Sequence, residues 1–288
     1  MQEKIQLGEK QSNNIDVEYE KVKQLIDTEC DNQECKKNFD KLKREFNRRA
    51  AYVAEYMSKL SKKSNNFEWF IVPAVTNRTD FGYNGDIDVK IVYSGDEDPI
   101  NYKDEFNEED NIYLYAHSIS RKRLDDIGEK YPEVAEWYKN MLAKPKLAGA
   151  DSSVIDVLSL EDNLRGSISG DSLEKIRQFR LSLAEEFINK AKKQIDIKGW
   201  NVSGSTSKKE GHFSFISDLD LEILIDPIDE AEESDINFYL IDYLQKEFAQ
   251  KYNVKMDFTV VTVSHLQKMV DGDNDRKKYF EKVYNTKF

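Results

Sequence analysis

No apolar run in the chain approaches the roughly 18 residues that a bilayer-spanning helix requires, so no membrane partner is expected. Cysteine is nearly absent. Cys30 and Cys35 are the two present, in a charged stretch with no second Cys or His pair at zinc-like spacing, and they are expected to be reduced thiols at a helix junction. Basic residues are also in short supply: 43 Lys and Arg stand against 55 Asp and Glu, a net charge of -12. A general grip on long nucleic acid needs basic surface to displace counterions, and this balance argues against it. A local basic pocket for a nucleotide stays open, and the acidic surface favours a small or basic acceptor, or one that brings its own Mg2+. The start, Met1–Lys10, carries no signal-peptide pattern, so the cytoplasm is the expected compartment.

What is present is a globular composition, 39% hydrophobic and 34% charged over 288 residues, enough for one large domain or two ordinary ones. Apolar residues at Phe39, Leu42, Phe46, Ala50, Val53, Met57 and Leu60 fall at steps of three and four and predict one long helix. Strands are expected at Trp69–Val75, at Asp86–Tyr93 and at Ser153–Leu160. The order then repeats. Asp171 with Glu174 resembles a capping box. The helix it opens carries Leu173, Ile176, Phe179, Leu183, Phe187, Ala191 and Ile195. After it come a strand at Trp200, a strand at Asp218, a helix from Ile236 to Gln250 and a strand at Val254–Val261, with a terminal helical segment, Ser264–Tyr284, broken at Asp271–Asp275. The pattern reads as an internal duplication, with a boundary in the Gly/Ser-rich stretch Asp162–Gly170. The expected division is an N-terminal lobe, 1–165, and a C-terminal lobe, 166–288.

The chemistry concentrates in the second half. Trp200-Asn-Val-Ser-Gly204-Ser205 supplies a Gly-Ser turn, and Ser217-Asp218-Leu219-Asp220-Leu221 supplies two acids on one face of a strand, because successive strand side chains point to opposite faces. Asp257 interrupts a later, otherwise apolar strand, where a charge is costly without a partner or a metal. Paired carboxylates select hard divalent cations.

Gly204-Ser205, a loop, Asp218-x-Asp220 and a third acid, Asp257, resemble the signature of the DNA polymerase β-like nucleotidyltransferases over roughly residues 200–261. The resemblance implies an α/β (α+β) fold of two tandem nucleotidyltransferase-like lobes, each a mixed sheet flanked by helices. It implies transfer of NMP from an NTP to a hydroxyl, with Asp218, Asp220 and Asp257 holding two Mg2+ ions, for which Mn2+ can substitute. Gly204, Ser205 and Thr206 would bind the triphosphate, with Lys208 and Lys209 adding charge. The family's loop is usually shorter and often carries Arg-Gly, whereas here Lys208-Lys209-Glu210-Gly211-His212 stands. In the first half the corresponding acids would be Asp86, Asp88 and Asp156. Ala74-Val75 stands where Gly-Ser belongs, with Arg78 as a possible compensation, so this copy is either degenerate or altered in its ligand. The acceptor is open among a small molecule, a nucleotide, an RNA end and a protein, with a small molecule favoured over long nucleic acid. The rival readings are a catalytically inactive nucleotide-binding or assembly module of the same fold, and an interaction protein whose acids solvate a sheet edge.

Overall fold

The computed structural model describes residues 12–30, 33–63, 66–72, 86–95, 104–107, 112–144, 168, 170–207, 213–215 and 217–286. They fall into two compact units, both discontinuous in sequence. Where the sequence reading draws contiguous lobes, helix α1 (Ser12–Glu29) belongs with the C-terminal strands, and the segment Asn237–Asn253 belongs with the N-terminal ones. Both units combine a mixed sheet with helices, and among the described residues no helix is long and apolar enough to cross a membrane.

In the unit that carries Asp218, α1 lies along α5 (Gly170–Ala191), with Tyr19 stacked on Phe179 at 6.0 Å and Ser172 Oγ donating to Glu29 Oε1 at 2.8 Å. The three-and-four spacing of α5 buries Ile176, Phe179, Leu183, Phe187 and Ala191 as the sequence predicts. The sheet order is β5 (Ile197–Val202), β6 (Leu219–Ile225), β7 (Met256–Thr262). β5 runs antiparallel to β6, and β7 parallel to it. The terminal segment forms two helices, Val263–Val270 and Asn274–Tyr284. They part where the sequence predicts a break: Gly272 sits at φ +76°, and Asp273 caps the second helix by accepting from Arg276 N at 2.9 Å. Leu266 and Tyr284 from these helices pack with Leu224 of β6.

The sulfurs of Cys30 and Cys35 are bonded, which corrects the expectation of reduced thiols. α1 ends at Glu29 and α2 (Gln33–Lys63) begins four residues later, and the two Cα atoms lie 5.3 Å apart, within disulfide reach.

In the unit that carries Asp88, the sheet order is β1 (Phe67–Ile71), β2 (Asp86–Tyr93), β4 (Ile112–Ser120), β3 (Asp104–Asn107). β1 is antiparallel to β2, and β4 is parallel to it, the same directions as β5, β6 and β7. β2 is buried on both faces, through Ile87, Val89 and Ile91 on one side and Lys90 and Val92 on the other. Ser120 caps α3 (Arg121–Lys130), and Pro132 opens α4 (Pro132–Leu142) at the position where a missing N–H costs nothing. The expected helix from Ile236 to Gln250 divides: Glu230–Asn237 is α-helical, Phe238–Leu244 is π-helical, and Gln245–Tyr252 is α-helical until Asn253 ends it at φ 56°. The widened turn faces aromatic neighbours, with Tyr239 at 4.6 Å from Tyr131 and Phe238 stacked on Tyr138 at 5.9 Å. The strand expected at Trp69–Val75 runs Phe67–Ile71, with its predicted end outside the described residues, as are Ser153–Leu160 and the boundary stretch 162–167.

Candidate functional site

The candidate site is assembled from β5, β6, β7 and the turn between the first two. Burial of Leu219, Leu221 and Ile223 at 1% exposure or less fixes one face of β6, which leaves Asp220 and Glu222 on the other. Asp218 lies one residue before the strand, and Asp220 stands directly opposite Asp257 in the parallel register of β6 and β7. The three acids named from the sequence thus lie on one face at one end of two neighbouring strands.

The Gly-Ser turn closes over this end. Ser203 N donates to Asp220 O at 3.0 Å as β5 finishes, and the helical turn Gly204–Ser207 follows. Gly204 has φ +61°, and a Cβ built on it would lie 1.9 Å from Asp220 Oδ2. Glycine is therefore required twice, by conformation and by the carboxylate packed against it. Ser205 is half-buried on the same turn. Thr206, expected among the phosphate ligands, is fully buried, and its hydroxyl donates to Asp218 O at 2.9 Å. Its side chain thus ties the turn to the acid loop, and only its backbone is left for a ligand. Lys208, Lys209, Gly211 and His212 lie outside the described residues.

A lysine that sequence reasoning passed over completes the cluster. Lys255 Nζ lies 2.8 Å from Asp218 Oδ2 and 3.3 Å from Asp257 Oδ2. The signal was available: Lys255 and Asp257 are two residues apart at a strand start, so alternation gives them one face. Burial and the neighbouring Asp218 charge raise Asp220, with Lys255 opposing. Burial likewise raises Asp257 despite Lys255, with the charge of Asp218 and a hydrogen bond to it adding to the effect. Carboxyls raised in this way are relieved by additional positive charge.

Among the described residues no three Asp, Glu, His or Cys side chains converge as a formed metal cage. The donor chemistry nevertheless fits a hard divalent cation. All the donors are carboxylate oxygens, an ammonium already bridges two of them, and the Asp218 and Asp257 side chains are 27% and 48% exposed, hence reachable.

The first-half constellation is built differently. Arg78, Asp156 and Ala74-Val75 lie outside the described residues, and of Asp86 only the backbone at the start of β2 is described. The strand parallel to β2 is β4, and the register position facing Asp88 is Tyr115, where the second sheet has Asp257. Asp88 pairs with Lys246 at 2.5 Å, and Lys90, 1% exposed, pairs with Asp242. His117 Nδ1 lies 3.8 Å from Asp242. Burial pushes Asp88 up, but Lys246, Lys90 and His117 outweigh it and hold its carboxyl below the usual range. What separates this copy from the second is therefore the facing register position, Tyr115 instead of an acid, since Asp218 is lysine-paired as Asp88 is.

His117 is lowered to about 4 by burial and then by Lys90, with Asp242 and Asp88 opposing and Lys246 adding to the decrease. A histidine whose folded pKa lies below its unfolded value keeps its stability above the unfolded value and loses it as pH falls toward the folded one. Between pH about 6.5 and about 4 this residue therefore destabilises its unit, by at most about 3 kcal/mol and by about 1–2 kcal/mol once partial solvent screening is allowed for. Urea unfolding across that range should show the loss, and His117→Gln should flatten it; an unchanged slope in the variant would show that His117 contributes nothing.

No protein family, curated protein or solved structure matches the chain.

Proposed function

We propose that the chain is a Mg2+-dependent nucleotidyltransferase that moves NMP from an NTP to an acceptor hydroxyl and releases pyrophosphate. The observation that carries this reading is the placement of Asp218, Asp220 and Asp257 on one face at the same strand end, beside a Gly-Ser turn whose glycine leaves no room for a Cβ. Asp218, Asp220 and Asp257 would hold two Mg2+ ions, with Mn2+ as a substitute, and ions bound there would supply neutralisation of triphosphate charge and acidity at the acceptor hydroxyl. Gly204 and Ser205 present backbone N–H groups and a hydroxyl to the phosphates. Asp257, the more exposed of the two lysine-bridged acids, faces the acceptor and takes its proton as the acceptor oxygen bonds to the α-phosphorus. The bond from that phosphorus to the bridging oxygen breaks, and pyrophosphate leaves with the electron pair. Lys255, beside Asp218 and Asp257, would add positive charge near the leaving phosphates.

The two-lobed nucleotidyltransferase architecture belongs to the same proposal, supported by the shared strand directions of the two sheets. Tyr115 in place of an acid opposite Asp88 favours reading the first copy as a structural one. A second reading, a nucleotide-binding module without turnover, is favoured by Lys255, which already neutralises part of the acid set. Pyrophosphate release with each NTP, Mg2+ and a panel of hydroxyl acceptors separates the two. The wild type is expected to release pyrophosphate and Asp218→Ala/Asp220→Ala to fall to the uncatalysed background; equal background from both excludes catalysis on these acceptors and favours the binder.

A further inference from the structure

Two arginines of α5 are buried although neither was named by the site motif. Arg177 and Arg180, one turn apart, are 5% and 4% exposed. Arg177 donates through Nη1 to Thr206 O at 3.2 Å, while Nε and Nη2 grip Glu174 at 2.8 and 2.7 Å. Arg180 donates through Nη1 to Ser217 O and through Nη2 to Phe215 O, and its guanidinium lies 5.1 Å from the Phe213 ring centroid. Its Nε has no hydrogen-bond partner among the described residues. A buried guanidinium that spends its fork on two backbone carbonyls, with one donor left over, is an expensive way to close a loop.

The cost has a geometric counterpart. One arginine holds the Gly-Ser turn at Thr206, the other holds the acid loop at the residue before Asp218, and the Thr206 hydroxyl bonds the two together at Asp218 O. Two connections to one rigid helix and one cross-link between the anchored segments therefore fix the spacing between the turn and the acid.

We propose that Arg177 and Arg180 are positioning residues that lock the Gly204–Ser207 turn and Asp218 into one frame on α5, so that phosphate and metal ligands are preset before a nucleotide arrives. The inference rests on the nucleotidyltransferase reading of the same site. It assigns α5 a role beyond packing: nucleotide affinity depends on the arginine fork, which a lysine of equal charge cannot reproduce.

The test measures Mn2+ binding by electron paramagnetic resonance, with and without non-hydrolysable NTP analogues, on the 288-residue chain. Wild type, Arg180→Lys, Thr206→Val and Asp218→Ala/Asp220→Ala are compared well below their melting temperatures. Arg180→Lys is expected to remain folded and to bind Mn2+ with nucleotide about tenfold more weakly, about 1.4 kcal/mol. A folded Arg180→Lys of wild-type affinity would overturn the proposal, because a purely structural arginine changes melting and not affinity. Should Arg180→Lys not fold, Thr206→Val, which removes only the hydroxyl joining turn to loop, decides on the same criterion. A wild type that binds no Mn2+ with nucleotide, or an acid variant that binds equally well, overturns the nucleotidyltransferase reading and this inference with it; wild-type binding lost only in the acid variant leaves that reading standing and removes the arginines from it.

Discussion

Replacing Gly204 by alanine is expected to weaken Mn2+-dependent nucleotide binding about a hundredfold while leaving the chain folded. Two effects add at one atom. At φ +61° an L-residue costs about 1–2 kcal/mol relative to glycine. The new Cβ would also stand 1.9 Å from Asp220 Oδ2, closer than any non-bonded contact, so the carboxylate or the turn must move. Asp220 is fixed by β6, whose alternate residues Leu219 and Leu221 are fully buried, and Ser203 N is tied to Asp220 O, so neither partner gives way without distorting the site. Because Gly204 itself is exposed, the strain falls on the site and not on the core. Electron paramagnetic resonance titration with a non-hydrolysable NTP should show affinity falling by about a hundredfold, since about 2.7 kcal/mol of misplacement corresponds to two decades. Far-ultraviolet circular dichroism should stay native. Wild-type affinity in Gly204→Ala would show that turn and carboxylate do not share a ligand.

The second large effect is on stability. Asp242→Asn is expected to cost its unit about 3–5 kcal/mol in urea unfolding, because it leaves the Lys90 ammonium, 1% exposed, without its counter-charge. Burial already lowers Lys90, with Asp242 as the main opposing influence. A lysine whose folded pKa lies below its unfolded value destabilises at low pH, and the penalty fades as pH rises through the folded value, so the cost of Asp242→Asn should shrink on the alkaline side. The double variant Lys90→Met/Asp242→Leu should recover most of the loss, since an apolar pair of similar volume carries no desolvation cost. A loss under about 1 kcal/mol in the single variant would mean that solvent or Asp88 takes over the charge.

The same pair explains part of what sequence pattern leaves hidden. Asp86–Tyr93 is legible because alternation is a local signal, and the terminal break is legible because glycine and aspartate cluster there. Membership of Asn237–Asn253 is not, because it depends on Lys90–Asp242 and Asp88–Lys246, contacts made over more than a hundred residues of chain. The π-helical turn was hidden for a related reason, since its residues Phe238–Leu244 read as an ordinary amphipathic helix until the aromatic neighbours are known. Within the candidate site the acids and the glycine follow from alternation and turn chemistry. Lys255 was overlooked although alternation pointed to it, and the buried arginines resemble solvated charges at i and i+3 until α5 is seen against the acid loop.

On the proposed reading one acid cluster, and not two, holds divalent ions together with a nucleotide. Electron paramagnetic resonance counting of bound Mn2+ at saturating non-hydrolysable NTP tests it most directly. About two ions per chain are predicted, as a two-metal site requires, with none remaining in Asp218→Ala/Asp220→Ala and no change in Asp88→Asn. Binding that survives the loss of Asp218 and Asp220, or that falls with Asp88, would contradict it.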